Sequence, residues 1–263
     1  MPTKIVVPVK QVAALDEDFE LEEGDAAVDA DFLDWSLNEW DRYSLEAALQ
    51  LTEADGGEVV ALSVGDEQAE EGLLACLAAG AGRAVRIWDE ALEGADALAV
   101  ARVLADAVRR EEPDLVLCGV QSSDMVNSAT GVALAAHLGL RHVAVVRGLQ
   151  LDAAARQLVV ERELEGGLSE TLALALPALL TVQTGINEPR YATLRAIKQA
   201  REKPLDVVDL DVLGLSAEQV GASSGARVRR LAPPPVGDSA ELLNGSSEDV
   251  AARIAALVKE RVA

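Results

Sequence analysis

Runs of apolar, partly β-branched residues, separated by stretches of helical periodicity, fill the first two-thirds of the chain. A first run at 5–9 is followed by comparable ones at 58–64, 84–87 and 114–118. Short continuous runs of this kind predict strands buried on both faces. Over 44–54, Leu45, Ala48, Leu49 and Thr52 recur at helical intervals, and further helices are predicted over 67–79, 97–110 and 130–138. Gly80 and Gly139 stand where two of these helices should stop, the position that favours glycine at a helix end. A last apolar run of this series follows at 143–146. Strands alternating with helices predict an α/β fold, a mostly parallel sheet flanked by helices with right-handed crossovers.

After Arg147 the rhythm changes. Residues 148–151, 157–164 and 170–176 read as consecutive strands, with turns at 152–156 and 165–169, and 179–183 returns as a buried strand. The pattern predicts a hairpin excursion on the sheet. From Lys203 onward an extended arm is predicted, with residues 223–225 and 233–235 crossing a surface. Residues 247–262 close the chain as an amphipathic helix, with Ser247 as N-cap and Val250, Ile254, Leu257 and Val258 on one face. The organisation expected is an α/β domain over 1–202 and, over 203–263, an arm and terminal helix suited to clasping another element, including one on another chain.

Half of the 263 residues are apolar but only 3% are aromatic, so the core is expected to be Leu, Val, Ala and Ile. No apolar run reaches the roughly 18 residues of a membrane span. Met1 to Lys4 runs straight into the first strand without a leader-type cleavage pattern, and a cytoplasmic protein is expected. A net charge of −22 argues against nucleic acid, because a phosphate-binding surface needs a basic patch. It fits a solvated acidic surface, a high-salt host or a partner with a basic docking face. Cys76 and Cys118 lie in apolar segments without metal-type spacing, the signature of buried free thiols.

Catalytic chemistry is not visible. His137 and His142 lack a nearby Ser or Cys nucleophile pattern, and two histidines do not build a His-rich metal site. No catalytic residue and no metal ligand is assigned. Neither a GxGxxG after the first strand nor a GxxxxGK[ST] occurs; Gly80-Ala81-Gly82 follows a helix and reads as a turn. One region does carry phosphate chemistry. The strand at 114–118 leads into Gly119-Val120-Gln121-Ser122-Ser123-Asp124, and Ser128-Ala129-Thr130-Gly131 opens the next helix. Small residues and free backbone N–H groups past a strand's carboxyl end lie where open α/β sheets bind ligands, and a helix N-terminus there favours an anion. The same hydroxyls also serve simply as caps.

Three separated motifs carry a resemblance. They are Val160-Glu161-Arg162-Glu163-Leu164-Glu165-Gly166-Gly167, the stretch at 174–181, and Asn187-Glu188-Pro189-Arg190-Tyr191-Ala192-Thr193-Leu194. In that order and spacing the chain resembles electron transfer flavoprotein beta subunits. Val9-Lys10-Gln11-Val12, the Ser36-Leu37-Asn38 turn and residues 77–84 extend the likeness, which covers about residues 4–215. The resemblance implies an adenine nucleotide alpha-hydrolase-like fold paired with an alpha subunit that supplies most of an FAD site. It also implies a structural AMP in the beta subunit, or in some members a second FAD there. Electrons would enter from flavoprotein dehydrogenases and leave to a membrane quinone oxidoreductase or another acceptor.

The family's AMP positions fall on Pro8, Asn38, Val64 and Ser128-Ala129-Thr130, with Gly131 beside them. Asn38 and Thr130 match the family, whereas Ser128 and Ala129 replace Asn and Gln, which leaves AMP, a second FAD or an empty site open. Trp40 falls on an aromatic position near the flavin, and Leu15 replaces another. Glu163 corresponds to an acidic residue that pairs with an alpha-subunit arginine and steers the mobile FAD domain. Leu194 falls on the apolar anchor of a dehydrogenase recognition loop, where Arg195 replaces the usual Pro and the basic run is reduced to Lys198, Arg201 and Lys203. The alternative is a stand-alone adenine-nucleotide-binding protein of the same fold, which explains the sheet but not the motif at 187–194. An ATP-using hydrolase or ligase of the superfamily would need a phosphate loop after the first strand, and Pro8-Val9-Lys10 offers none.

Overall fold

The computed structural model describes residues 3–15, 19–22, 27–226, 228–232, 240 and 242–262. The chain divides into two units, Met1–Arg230 and Leu231–Ala263. In the first, strands β1 (Thr3–Pro8), β2 (Gln11–Leu15) and β3 (Leu33–Leu37) precede helix α1 (Glu39–Asp55) and strand β4 (Gly57–Val64). Helix α2 (Ala69–Ala79), strand β5 (Arg83–Ile87), helix α3 (Ala97–Glu111), strand β6 (Leu115–Gly119) and helix α4 (Thr130–Leu138) follow. Then come β7 (Arg141–Asp152), β8 (Gln157–Glu163), β9 (Ser169–Ala175), β10 (Ala178–Val182), α5 (Leu194–Ala200), β11 (Leu205–Val208), α6 (Leu210–Leu213) and α7 (Ala217–Ser223).

Nine of these strands form one sheet in the order β11-β5-β4-β1-β6-β10-β7-β8-β9. The seven from β11 to β7 pair in parallel, and β8 and β9 continue the sheet antiparallel. The parallel strands are buried on both faces because successive side chains alternate. On β1, Ile5 and Val7 join the core cluster shared with α1 and α2, while Val6 joins the one shared with α3 and α4. The aliphatic core expected from composition fills both clusters, and Cys76 and Cys118 are free and buried within them. Among the described residues no helix is long and apolar enough to cross a membrane.

The local pattern and the structure differ in several places. The runs at 143–146 and 148–151 are one strand, β7, bent where Val145 takes a positive φ of 60° and its N–H donates to Thr181 Oγ1 at 3.1 Å. The bend lets one strand leave the parallel ladder with β10 and enter the antiparallel ladder with β8. Residues 11–15 and 33–37 pair as a separate two-stranded ribbon, which the acidic segment between them gave no reason to expect. The compact unit also continues past residue 202, where the pattern placed the start of the arm. Leu205–Val208 hydrogen-bonds in parallel to β5 and forms the sheet's edge, too short a strand to show periodicity.

In the second unit, helix α8 spans Ser247–Val262. Its N-cap is Ser246 rather than Ser247. Ser246 Oγ accepts the Asp249 N–H at 3.2 Å, and the Asp249 carboxylate accepts the Ser246 N–H at 3.3 Å, a reciprocal cap that satisfies two donors. Residues 233–235, read as extended, lie outside the described residues.

Candidate functional site

A cleft opens at the carboxyl ends of β1, β4 and β6, facing the N-terminal ends of α3 and α4. Pro8 closes β1, Val64 closes β4, and Ser128, Ala129, Thr130 and Gly131 form the start of α4; all line the cleft together with Asn38. Positions up to 123 residues apart in sequence thus meet at one site (8 to 131). No side chain caps α4, whose N-cap position is Ala129, so its first N–H groups face the cleft without a side-chain acceptor. Gly131 is required by packing: a Cβ there would lie 2.6 Å from Thr181 Cγ2 and 2.8 Å from Cys118 Sγ.

Asn38 is a structural tie. It stands at the N-cap position of α1 but does not cap it with its side chain. Instead Nδ2 donates to the Gln121 carbonyl at 2.9 Å and Oδ1 accepts the Ser123 N–H at 3.3 Å. Its amide is thereby committed to the loop after β6. Ser128 Oγ likewise donates to Gln121 Oε1 at 3.1 Å.

Asp41, which the sequence did not single out, anchors the floor of the cleft. Its Oδ2 accepts the Lys10 N–H at 2.8 Å and its Oδ1 accepts the Gly119 N–H at 3.1 Å. One buried carboxylate therefore joins the ends of β1 and β6 to the first turn of α1. Burial pushes its pKa up to about 7, against the pull of the Lys10, Asn38 and Gly119 hydrogen bonds and the Lys10 charge. The approach is close enough that a Cβ on Gly119 would lie 2.5 Å from Asp41 Oδ1. Nothing in the local sequence separates Asp41 from other acidic residues in first helical turns.

Trp40 does not line the cleft. It is half-buried, and its Nε1 donates to Gln183 Oε1 at 2.9 Å. Glu163 ends β8 as an exposed residue opposite Ser169. His137 and His142 are exposed.

The motif at 187–194 lies against α1. Asn187 Nδ2 donates to the Tyr43 carbonyl at 3.0 Å. Arg190 grips Glu46 and Glu53, whose carboxyl pKa values fall below the ordinary glutamate range; in both, the hydrogen bond to Arg190 is the leading stabilising cause, working against burial. Thr193 Oγ1 accepts the Ala196 N–H at 3.2 Å and caps α5. The segment leaves Tyr191 93% and Leu194 82% exposed. Leu194 is the first residue of α5 and not a loop residue, because the Thr193 cap starts the helix at that point. Lys203 leaves the exposed basic run: its Nζ donates to the Leu77 and Ala81 carbonyls, both at 2.8 Å.

A parallel α/β sheet with a polar-mouthed cleft at its carboxyl edge is a ligand-binding architecture. The electron transfer flavoprotein domain matches residues 27–213 of this chain. The chain is 48% identical over 260 residues to the electron transfer flavoprotein subunit beta of Methylophilus methylotrophus, covering 98% of each. Similarity to the subunit beta of Mycobacterium tuberculosis is 33% over 253 residues and 94% of each chain. It is 33% over 229 residues and 86% of each chain to the caffeyl-CoA reductase-Etf complex subunit CarD of Acetobacterium woodii. The chain belongs to the electron transfer flavoprotein family, as a beta subunit. Its role lies in electron transport.

Proposed function

We propose that the chain pairs with an electron transfer flavoprotein alpha subunit and has no catalytic turnover of its own. FAD is held mainly by the alpha subunit, and the beta subunit's cleft takes AMP, or a second FAD in the same place. Electrons arrive from flavoprotein dehydrogenases in the cytoplasm and pass to a membrane quinone oxidoreductase or another acceptor. The observation that carries this reading is the convergence of Pro8, Asn38, Val64 and the Ser128–Gly131 helix start on one cleft, in a chain that also presents Leu194 outward. The name of the Acetobacterium woodii relative, a subunit of an Etf complex, supports assembly with partner chains.

The cleft fits an adenine nucleotide in its chemistry. Val64, Val100, Leu104 and Leu134 supply an apolar wall, and the uncapped start of α4 supplies backbone donors for phosphate. Ser128 and Ala129 contribute backbone rather than amide side chains. FAD, when bound, supplies the redox centre; Trp40, held by Gln183, is this chain's aromatic contribution beside it. Glu163, at the exposed end of β8, orients the alpha subunit's flavin domain through an arginine. Leu194 fills an apolar pocket on the dehydrogenase.

The test is expression of the chain alone and together with an alpha partner. The chain alone should be colourless and without turnover, and the pair should be yellow, because a flavin site shared between chains is incomplete in either. Stoichiometric FAD on the isolated chain would refute the reading. Heat-released extract of the complex should contain AMP, or a second FAD for each heterodimer; one FAD and nothing else would mean an empty cleft.

A further inference from the structure

Among the described residues that line the cleft, Lys10 is the one cation, and Asp41 and Asp96 are the acids. Both acids are already engaged by backbone donors. Asp41 takes the N–H groups of Lys10 and Gly119. Asp96 takes those of Leu98 and Ala99, each at 3.0 Å, and of Gly225 and Ala226 at 2.7 and 2.8 Å. The lysine's ammonium hydrogen-bonds to neither of them. The Lys10 ammonium instead reaches to Asp124, 114 residues away in the loop before α4, at 2.8 Å from Oδ1 and 2.6 Å from Oδ2.

The two ends of this lysine are held differently. Its backbone N–H is fixed on buried Asp41, whereas its side chain is 44% exposed and its partner's 23%. An ion pair in that setting contributes only about 0–1 kcal/mol, so it exchanges readily. A phosphate monoester carries up to two charges where Asp124 carries one, and at equal distance attracts the ammonium about twice as strongly.

We propose that Lys10 is the cationic anchor for the phosphate of the cleft's nucleotide and that Asp124 competes with that phosphate for its ammonium. The proposal rests on the nucleotide reading of the cleft. Lys10 swings from Asp124 to the phosphate when the nucleotide enters, and Asp124 sets how much that exchange costs. The two residues therefore act with opposite sign on one affinity, which a purely structural ion pair would not do.

The experiment is calorimetric titration of AMP, and separately of adenosine, into the nucleotide-depleted full-length chain at low ionic strength. Lys10→Gln should weaken AMP about tenfold, the scale of one charge-assisted hydrogen bond, and leave adenosine unchanged. Asp124→Asn should tighten AMP about threefold, the scale of a released exposed pair. Lys10→Arg should retain AMP binding, which separates loss of charge from loss of fold. If Lys10→Gln fails to fold, Asp124→Asn decides the matter, and AMP affinity must rise. Wild-type binding of AMP that neither variant alters would overturn the assignment while leaving the nucleotide reading intact. Equal weakening of AMP and adenosine by Lys10→Gln would overturn it as well. Failure of the wild-type chain to bind AMP at all would remove the nucleotide reading and this assignment together.

Discussion

The guanidinium of Arg190 holds both oxygens of Glu46, with Nε 2.7 Å from Oε2 and Nη2 3.0 Å from Oε1. The same arginine reaches Glu53 through Nη1 at 2.5 Å and Nη2 at 3.0 Å. Glu46 has a side chain only 6% exposed; burial opposes its charge, and the hydrogen bonds from Arg190 and Gln50 favour it. The consequence for function is directional. Arg190 is committed to α1, so the segment beneath Tyr191 and Leu194 is braced while those two side chains face outward.

Arg190→Ala should therefore destabilise the protein by about 2–3 kcal/mol, below the full cost of breaking a wholly buried pair because the arginine is partly exposed. Urea unfolding measures this. Glu46 has a lowered folded pKa, so its contribution is present above the ordinary glutamate value near 4.3 and lost as pH falls through the lowered one. The variant should lose stability mainly above about pH 4.3 and converge on the wild type in acid. An equal loss at all pH values would contradict the brace.

Asp41 should give the opposite pH dependence. Its folded pKa, about 7, is raised from the ordinary aspartate value of 3.8. Between those values the folded chain keeps a proton that the unfolded chain has lost, so this group's contribution to stability declines as pH rises from about 4 to about 7 and is level above. The difference in unfolding free energy between wild type and Asp41→Asn, followed against pH, should show that decline. An Asp41 carboxyl resonance titrating near 4 in the folded protein would rule it out.

Two glycine-to-alanine substitutions should have opposite signs. At Gly119 the new Cβ would lie 2.5 Å from Asp41 Oδ1 and 2.6 Å from Trp40 Cβ, forcing α1 off β6 at about 1–3 kcal/mol. At Gly221, inside α7, nothing lies within 4 Å, and Ala should stabilise by about 0.5–1 kcal/mol through helix propensity. Thermal or chemical unfolding of both variants checks the pair.

Leu194→Ala should weaken electron acceptance from the cognate dehydrogenase by roughly tenfold or more, because filling a partner's pocket with a leucine is worth about 1.5–3 kcal/mol. At 82% exposure the side chain contributes little to folding, so thermal stability and flavin content should hold. Unchanged affinity, or an unfolded chain, would remove the docking role.

Glu163→Ala should separate docking from transfer. If this exposed residue at the end of β8 orients the alpha subunit's flavin domain as proposed, the variant should slow the electron-transfer step and leave dehydrogenase affinity nearly intact. Steady-state reduction combined with an independent affinity measurement tests this; a parallel loss of both would place Glu163 in the docking surface instead.

Much of the first unit was legible in local pattern. The parallel strands are apolar runs because both faces are covered, and residues 130–138 form the helix that periodicity predicts. Gly80 and Gly139 end their helices with φ of 139° and 67°, where a side chain would strain the backbone. Elements that depend on neighbours were not legible. β11 is four residues long and is a strand only because β5 offers its edge. β7 reads as two runs because Arg147 interrupts the apolar pattern, and the bend within it at Val145 is held by Thr181, 36 residues away.

The alternation of parallel strands and helices from β4 to α4, the aliphatic core and the motif at 187–194 were written in the sequence alone, because each rests on periodicity or on residue identity at fixed spacing. The motif's meaning was not. Only folding turns Arg190 inward to Glu46 and Leu194 outward, 144 residues of chain separating the arginine from its partner. The same holds for the cleft. Asp41 becomes its floor, Asn38 its tie and Lys10 its one lining cation among the described residues because three loops from distant parts of the chain pack within hydrogen-bonding distance. A carboxylate's charge and a lysine's reach depend on burial and on partners across space, and local sequence records neither.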